Sequence, residues 1–204
     1  MTEREKLHSG VIYNPSDPTI MDEQAVYLDM LKVYNEIPHV EPLLREQMLR
    51  KMMAEVGENC YVESPFYANW GGHHVHLGKN VYFNFGVTMV DDTHIYIGDY
   101  TMLGPNVTIA TAGHPIDPDL RRKGLQYNLP VHIGSNCWLG AGVIVMPGVT
   151  IGDNTVVGAG SVVTKDLPAG VVAVGNPCRV MRPVGDHDRQ FYWRNKCIPE
   201  DMLD

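Results

Sequence analysis

The chain has 204 residues, 44% of them hydrophobic and 20% charged, with a formal net charge of −8. That length suffices for one ordinary core, and the acidic balance excludes nonspecific attraction to nucleic acid or to an anionic membrane surface. No run reaches the roughly 18 consecutive apolar residues of a membrane span, and the polar opening MTEREKLHSG carries no secretory signal, so a soluble cytoplasmic protein is expected. Cys60, Cys137, Cys178 and Cys197 lack CxxC spacing and read as reduced thiols, the ones inside repeat phrases acting as small apolar fillers.

Residues 1–56 form the expected helical N-terminal cap. Asp22 is read as the N-cap of a helix running to about Asn35, with Val26, Met30 and Val33 on one face. A second helix starts near Pro42 in EPLLREQMLRKMMAEVG, has Leu44, Met48 and Met52 at i, i+4 and i+8, and stops at Gly57.

Residues 57–182 carry a six-residue period. Loose phrases at Cys60–Pro65 and Phe66–Gly71 precede VHLGKN, VYFNFG and VTMVDD from residue 75. Thr93 and His94 then shift the phase before IYIGDY, TMLGPN and VTIATA. The period stops over residues 113–130 and resumes without a gap from Val131 to Asp166 as VHIGSN, CWLGAG, VIVMPG, VTIGDN, TVVGAG and SVVTKD. Six is neither a helical period nor that of an ordinary strand, and it fits a parallel β-helix with three phrases per triangular coil. The first and third residues of each phrase should point inward, and Gly134, Gly140, Gly152 and Gly158 should sit where a corner needs an unusual backbone angle. The cap then has a purpose, because an open coil end exposes strand edges and core. The excursion at 113–130 has to leave the solenoid and return, and long loops in compact repeats are usually functional. Residues 183–204 form a C-terminal tail in which Phe191, Tyr192 and Trp193 mix with charges.

The motifs TAGHP at 111–115, NFGVTMVDD, IGSNCWLGAG, VVTKDLP and GNPCRV occur in this order. In this the chain resembles the sugar O-acetyltransferases of the hexapeptide-repeat family, and is most similar there to maltose and galactoside acetyltransferases. The resemblance implies a left-handed parallel β-helix, a homotrimer, acetyl-coenzyme A as donor, a sugar hydroxyl as acceptor and no metal requirement.

Acetyl transfer from a thioester to an alcohol needs a base for the hydroxyl proton. An imidazole titrates near pH ~6.5 and suits that task. Read alone, a loop histidine such as His114 is more often a solvated side chain; the resemblance makes it the catalytic base. The resemblance also implies that Asn84 and Asp92 bind the acceptor, with Asn84 aiding the tetrahedral intermediate and Tyr82 lining the pocket. Without the resemblance, Asp91 and Asp92 read as a turn pair at a coil corner, a reading that stands for Asp91. Asp17, in NPSDPT, is the candidate for a further acceptor carboxylate. Asn69 and Gln126 stand where the family has a serine and a methionine, which bears on which sugar is used. Donor contacts are implied for Trp138, Ala141, Ala159, Thr164, Lys165, Arg179 and Arg182, the cations suiting phosphates.

Three other readings compete. The same family includes enzymes acting on serine, antibiotics or amino sugars. Gamma-type carbonic anhydrases use the solenoid to hold zinc on three histidines, and His73, His74, His76, His94 and His132 are available, although His74 and His76 alternate on one strand face without a long-range partner. A non-catalytic scaffold is the third, opposed by the intact TAGHP and TKD motifs.

Overall fold

A computed structural model describes residues 1–202; Leu203 and Asp204, the end of the expected tail, lie outside the described residues. From Glu55 the chain winds as a parallel β-helix whose three walls are three sheets. The first sheet stacks Glu55–Val56, Val75–Leu77, Ile95–Ile97, Val131–Ile133 and Thr150–Ile151. The second stacks Tyr61–Val62, Tyr82–Phe83, Met102–Leu103, Trp138–Leu139, Val156–Val157 and Val171–Val174, and the third Tyr67–Ala68, Thr88–Val90, Thr108–Ala110, Ile144–Val145 and Val162–Val163. Each strand pairs in parallel with the strand one coil away, so Ile97, Ile133 and Ile151 lie in one ladder.

That register explains the period. The first and third residues of every phrase from Val131 to Val163 are buried, including Cys137, Thr155 and Ser161 at first positions. A fully buried Val or Ile contributes about 1.5–3 kcal/mol, so each coil adds a similar increment to a continuous core. The four cysteines are free thiols.

The glycine expectation needs correction. Gly134, Gly140, Gly152 and Gly158 do not adopt positive φ. They are required by space, because a Cβ on Gly140 would come within 2.7 Å of the Ala159 backbone nitrogen in the next coil. The left-handed conformation falls at the sixth position of the phrase, in Asn136, Gly142 and Asn154 among others.

The departures from six between residues 69 and 130 share one edge, the corner between the third and first sheets. Residues 69–74, the extra pair Thr93 and His94, and the excursion all occur there. The excursion leaves and returns as a short antiparallel pair, Ala112–Gly113 with Tyr127–Asn128, and carries a small helix at its tip, Pro118–Arg122.

Three helices precede the solenoid: α1 (Glu3–Lys6), α2 (Pro18–Glu36) and α3 (Pro42–Met52). The structure corrects both helix readings. Asp17, not Asp22, caps α2, and its buried residues are Ile20, Leu31 and Tyr34, while Val26 and Val33 are about half exposed. The third helix ends at Met52, before Gly57, and turns Arg45, Leu49 and Met52 inward while Leu44 stays exposed. Leu31, Tyr34, Leu49 and Met52 belong to the same hydrophobic cluster as Val62 and Phe66 and so close the first coil. Arg45 is buried there because it does polar work: its guanidinium donates to the carbonyls of Ile37 and Val62 and to the Tyr34 and Ser64 hydroxyls at 2.7–3.0 Å. At the far end Val171–Val174 turns back antiparallel to Arg179–Pro183. The tail follows as a short helix, Asp186–Gln190, and a hairpin of Phe191–Trp193 with Lys196–Cys197. Among the described residues no helix is long and apolar enough to cross a membrane.

Candidate functional site

The irregular corner carries a cleft of 550 Å³. Its floor is the outer face of the third sheet at Tyr67, Thr88 and Val90, and Leu28 and Leu31 of α2 form an apolar wall. Asn69, Asp92, His114 and Gln126 supply its polar groups. The solenoid geometry brings them together: Asn69 and Asp92 follow third-sheet strands one coil apart, and the excursion adds His114 on its outgoing limb and Gln126 on its returning one.

His114 Nδ1 lies 2.8 Å from the Leu125 carbonyl oxygen. A carbonyl only accepts, so Nδ1 carries the proton and Nε2 is left with a free lone pair. The limb that returns the chain to the solenoid therefore sets the tautomer a proton acceptor needs.

Asp92 is buried and receives two amides, Asn69 Nδ2 on Oδ2 at 2.9 Å and Gln126 Nε2 on Oδ1 at 3.0 Å. Asp91 beside it turns into the protein. Its Oδ1 accepts from the Trp70 N–H at 2.7 Å and its Oδ2 has no partner among the described residues. Burial pushes its carboxyl up to about 7, against the pull of that N–H and helped by the Asp92 charge.

Other expected site residues lie elsewhere. Asp17 does not line the cleft: its Oδ1 accepts from the Thr19 backbone N–H at 3.0 Å and from the Thr19 hydroxyl at 2.6 Å, as the cap of α2. Tyr82 stands on the second sheet, stacked near-parallel on Tyr61 with ring centroids 6.4 Å apart. Asn84 occupies the corner between the second and third sheets, where its Oδ1 accepts from Phe85 N at 2.8 Å. Along that same edge lie Ala141 and Ala159, joined by the Gly160 N–H to Ala141 carbonyl bond of 2.9 Å. Trp138 projects outward from the second sheet, 53% exposed. Thr164 and Lys165 are exposed at the corner that carries His114, near the far end of the solenoid. Arg179 and Arg182 stand on the strand Arg179–Pro183 that ends the second sheet, and Arg182 forks onto Asp188 at 2.6 and 2.7 Å. Within one chain, then, His114, Asp92, Asn69 and Gln126 share one edge, whereas Asn84, Ala141 and Ala159 share another.

The histidines also have local partners. His74 Nδ1 donates to the Asp91 carbonyl at 2.7 Å, and burial lowers its pKa to about 3. His76 Nε2 and His94 Nδ1 are 3.0 Å apart, and the His8 ring stacks on His94. Among the described residues no group of three or more His, Cys, Asp or Glu side chains could hold a metal ion. Sequence reasoning missed Tyr13, Leu28, Leu31, Tyr67 and Asn128. Tyr13 reaches the site only through a tertiary contact, the bond from Gln126 Nε2 to its hydroxyl, whereas Asn128 stands two residues from Gln126 and accepts from the same amide without any motif to mark it.

Residues 130–165 match the model described as bacterial transferase hexapeptide (six repeats), and residues 6–57 match the maltose acetyltransferase hexapeptide capping motif. A galactoside O-acetyltransferase of Lactococcus lactis is 50% identical over 196 residues, covering 96% of this chain and 95% of the relative. A galactoside acetyltransferase solved in complex with coenzyme A superposes with a TM-score of 0.94 at 40% identity, covering 98% of this chain and 100% of the other. A maltose O-acetyltransferase from Clostridium difficile 630 gives 0.88 at 45% identity, covering 91% and 99%.

Proposed function

The chain belongs to the hexapeptide-repeat sugar O-acetyltransferases, and on that premise we propose that it moves an acetyl group from acetyl-coenzyme A to a hydroxyl of maltose, a glucoside or a galactoside, with His114 as the general base. The observation that carries this reading is the His114 Nδ1 bond to Leu125, which leaves Nε2 as the acceptor at a cleft furnished with Asn69, Asp92 and Gln126.

In this reading the sugar lies on the third sheet with its hydroxyls toward Asp92, and Nε2 takes the proton of the hydroxyl that reacts. The freed oxygen attacks the thioester carbonyl, the tetrahedral intermediate collapses with cleavage of the C–S bond, and the thiolate recovers the proton from the imidazolium. Asn84 donates to the developing oxyanion. The pantetheine arm of the donor runs along the edge of Ala141 and Ala159, where small side chains admit it, beside Trp138. Thr164, Lys165, Arg179 and Arg182 meet its polar end, the cations its phosphates. Because Asn84 and His114 occupy different edges of one chain, the site is completed between two chains of a cyclic trimer.

The test is coenzyme A release from acetyl-coenzyme A with a panel of acceptors. Turnover with maltose, glucosides or galactosides is expected. Turnover confined to serine, amines or antibiotics would replace the sugar reading by the other acceptor class.

A further inference from the structure

Asp92 holds a carboxylate in a buried place with two neutral amides as donors, so its direction depends on how firmly those amides are held. The Gln126 amide nitrogen lies 3.0 Å from Asp92 Oδ1, 2.7 Å from the Tyr13 hydroxyl oxygen and 2.9 Å from Asn128 Oδ1. An amide nitrogen has two protons, so three acceptors form a shared cradle that fixes its position. Tyr13 is itself buried and comes from the segment before α2. Its backbone exchanges two hydrogen bonds with Gln126, Tyr13 N to Gln126 O at 2.9 Å and Gln126 N to Tyr13 O at 3.0 Å. Its hydroxyl also accepts from Asn128 Nδ2 at 3.0 Å, and that same amide donates to the Leu7 carbonyl at 2.9 Å. Burial raises the Tyr13 phenol well above its ordinary range, so it stays neutral and serves the amides as a fixed oxygen.

We propose that Tyr13 is a positioning residue for the acceptor: acting through Gln126, it fixes the Asp92 carboxylate against which the sugar hydroxyls bind. The proposal rests on reading the cleft as the acceptor site. Without the phenol oxygen the Gln126 amide can turn about its last torsion, and Asp92 Oδ1 loses a donor of fixed direction. Acceptor affinity should fall while the donor, bound along another part of the solenoid, is unaffected.

The experiment uses the full chain and the sugar that turns over fastest in the acceptor panel. Tyr13→Phe should raise the acceptor KM about 3–10-fold, the range of one neutral hydrogen bond, with kcat within about 3-fold and the acetyl-coenzyme A KM unchanged. Asp92→Asn should raise the acceptor KM by itself, and adding Tyr13→Phe to it should produce no further rise. Additive effects, a parallel rise in both KM values, or a lower melting temperature with unchanged kinetics would overturn the positioning role. Should Tyr13→Phe fail to fold, Asn128→Ala, which removes another wall of the cradle, must give the same split. If Asp92→Asn leaves the acceptor KM unchanged, the acceptor-site reading fails and the role of Tyr13 with it. An effect at Asp92 with none at Tyr13 or Asn128 overturns this proposal alone.

Discussion

The proposed role of His114 turns on which ring nitrogen is protonated, and Leu125 decides it from the opposite limb of the excursion. His114→Ala would remove the proposed base and leave the edge of Ala141 and Ala159 untouched, so kcat should fall about 10²–10⁴-fold with the acetyl-coenzyme A KM within about 2-fold; single-mutant kinetics at wild-type rate would end its assignment as base. Asp91 makes a different prediction from the same corner. Its folded-state pKa of about 7 lies above the ordinary 3.8, so the folded protein binds that proton more tightly than the unfolded chain does. The cost of ionising it is absent below about pH 4, grows as pH rises, and is complete above about pH 7, on the order of 4 kcal/mol. Asp91→Asn keeps the acceptor for Trp70 N–H and removes the titration. Denaturant midpoints of the variant and the parent should coincide near pH 4 and separate towards pH 8 with the variant more stable; parallel curves would show that Asp91 does not titrate in this range. Neither feature could be read from TAGHP or VDD, because both depend on a backbone carbonyl and on burial that the third dimension supplies.

At the scale of elements, the solenoid was legible and the helices only partly so, for one reason. In a parallel β-helix the sequence neighbour eighteen residues on is also the spatial neighbour, so the pattern VHIGSN, VTIGDN states its own register. In α2 the apolar residues occur on more than one face: Leu31 and Tyr34 close the first coil while Leu28 walls the cleft, and Val26 and Val33 remain half exposed, so periodicity alone could not choose the buried stripe. Arg45 was invisible for the opposite reason, since a charge reads as surface until its carbonyl partners are known. The glycines separate two physical demands that look alike in sequence. Gly140 is needed because the neighbouring coil leaves no room for a Cβ, Gly142 because its φ is +67 with open space around it. Asparagine already fills the sixth position in other phrases, for example Asn136 and Asn154. Gly142→Asn should therefore change stability by no more than about 0.5 kcal/mol, whereas Gly140→Asn forces two coils apart and should cost about 3 kcal/mol or more. Chemical denaturation of the two variants compares them directly, and equal losses would contradict the distinction.

For the whole molecule, the separation of the two edges is the observation on which the proposed shared site rests. His114 and Asp92 stand at the corner between the third and first sheets, and Asn84 stands at the corner between the third and second, with the width of a sheet between them. Tyr67, Phe85, Met102 and Trp138 are apolar or aromatic side chains left 48–53% exposed on the second and third sheets and the corner between them, a surface suited to contact with a neighbouring chain. In the proposed cyclic trimer the loop edge of one chain would meet the Asn84 edge of the next, giving three equal junctions. Mixing chains with His114→Ala and chains with Asn84→Ala, then unfolding and refolding them together, tests this arrangement. Each homotrimer lacks activity, because every junction has lost one partner. Every mixed ring, taken in the direction from loop to face, contains one junction where an intact His114 meets an intact Asn84. Random assembly of equal amounts makes about three quarters of the rings mixed, so recovered activity should be roughly one quarter of the parent's. If the two residues act within one chain, no junction is repaired and the mixture stays as inactive as its components.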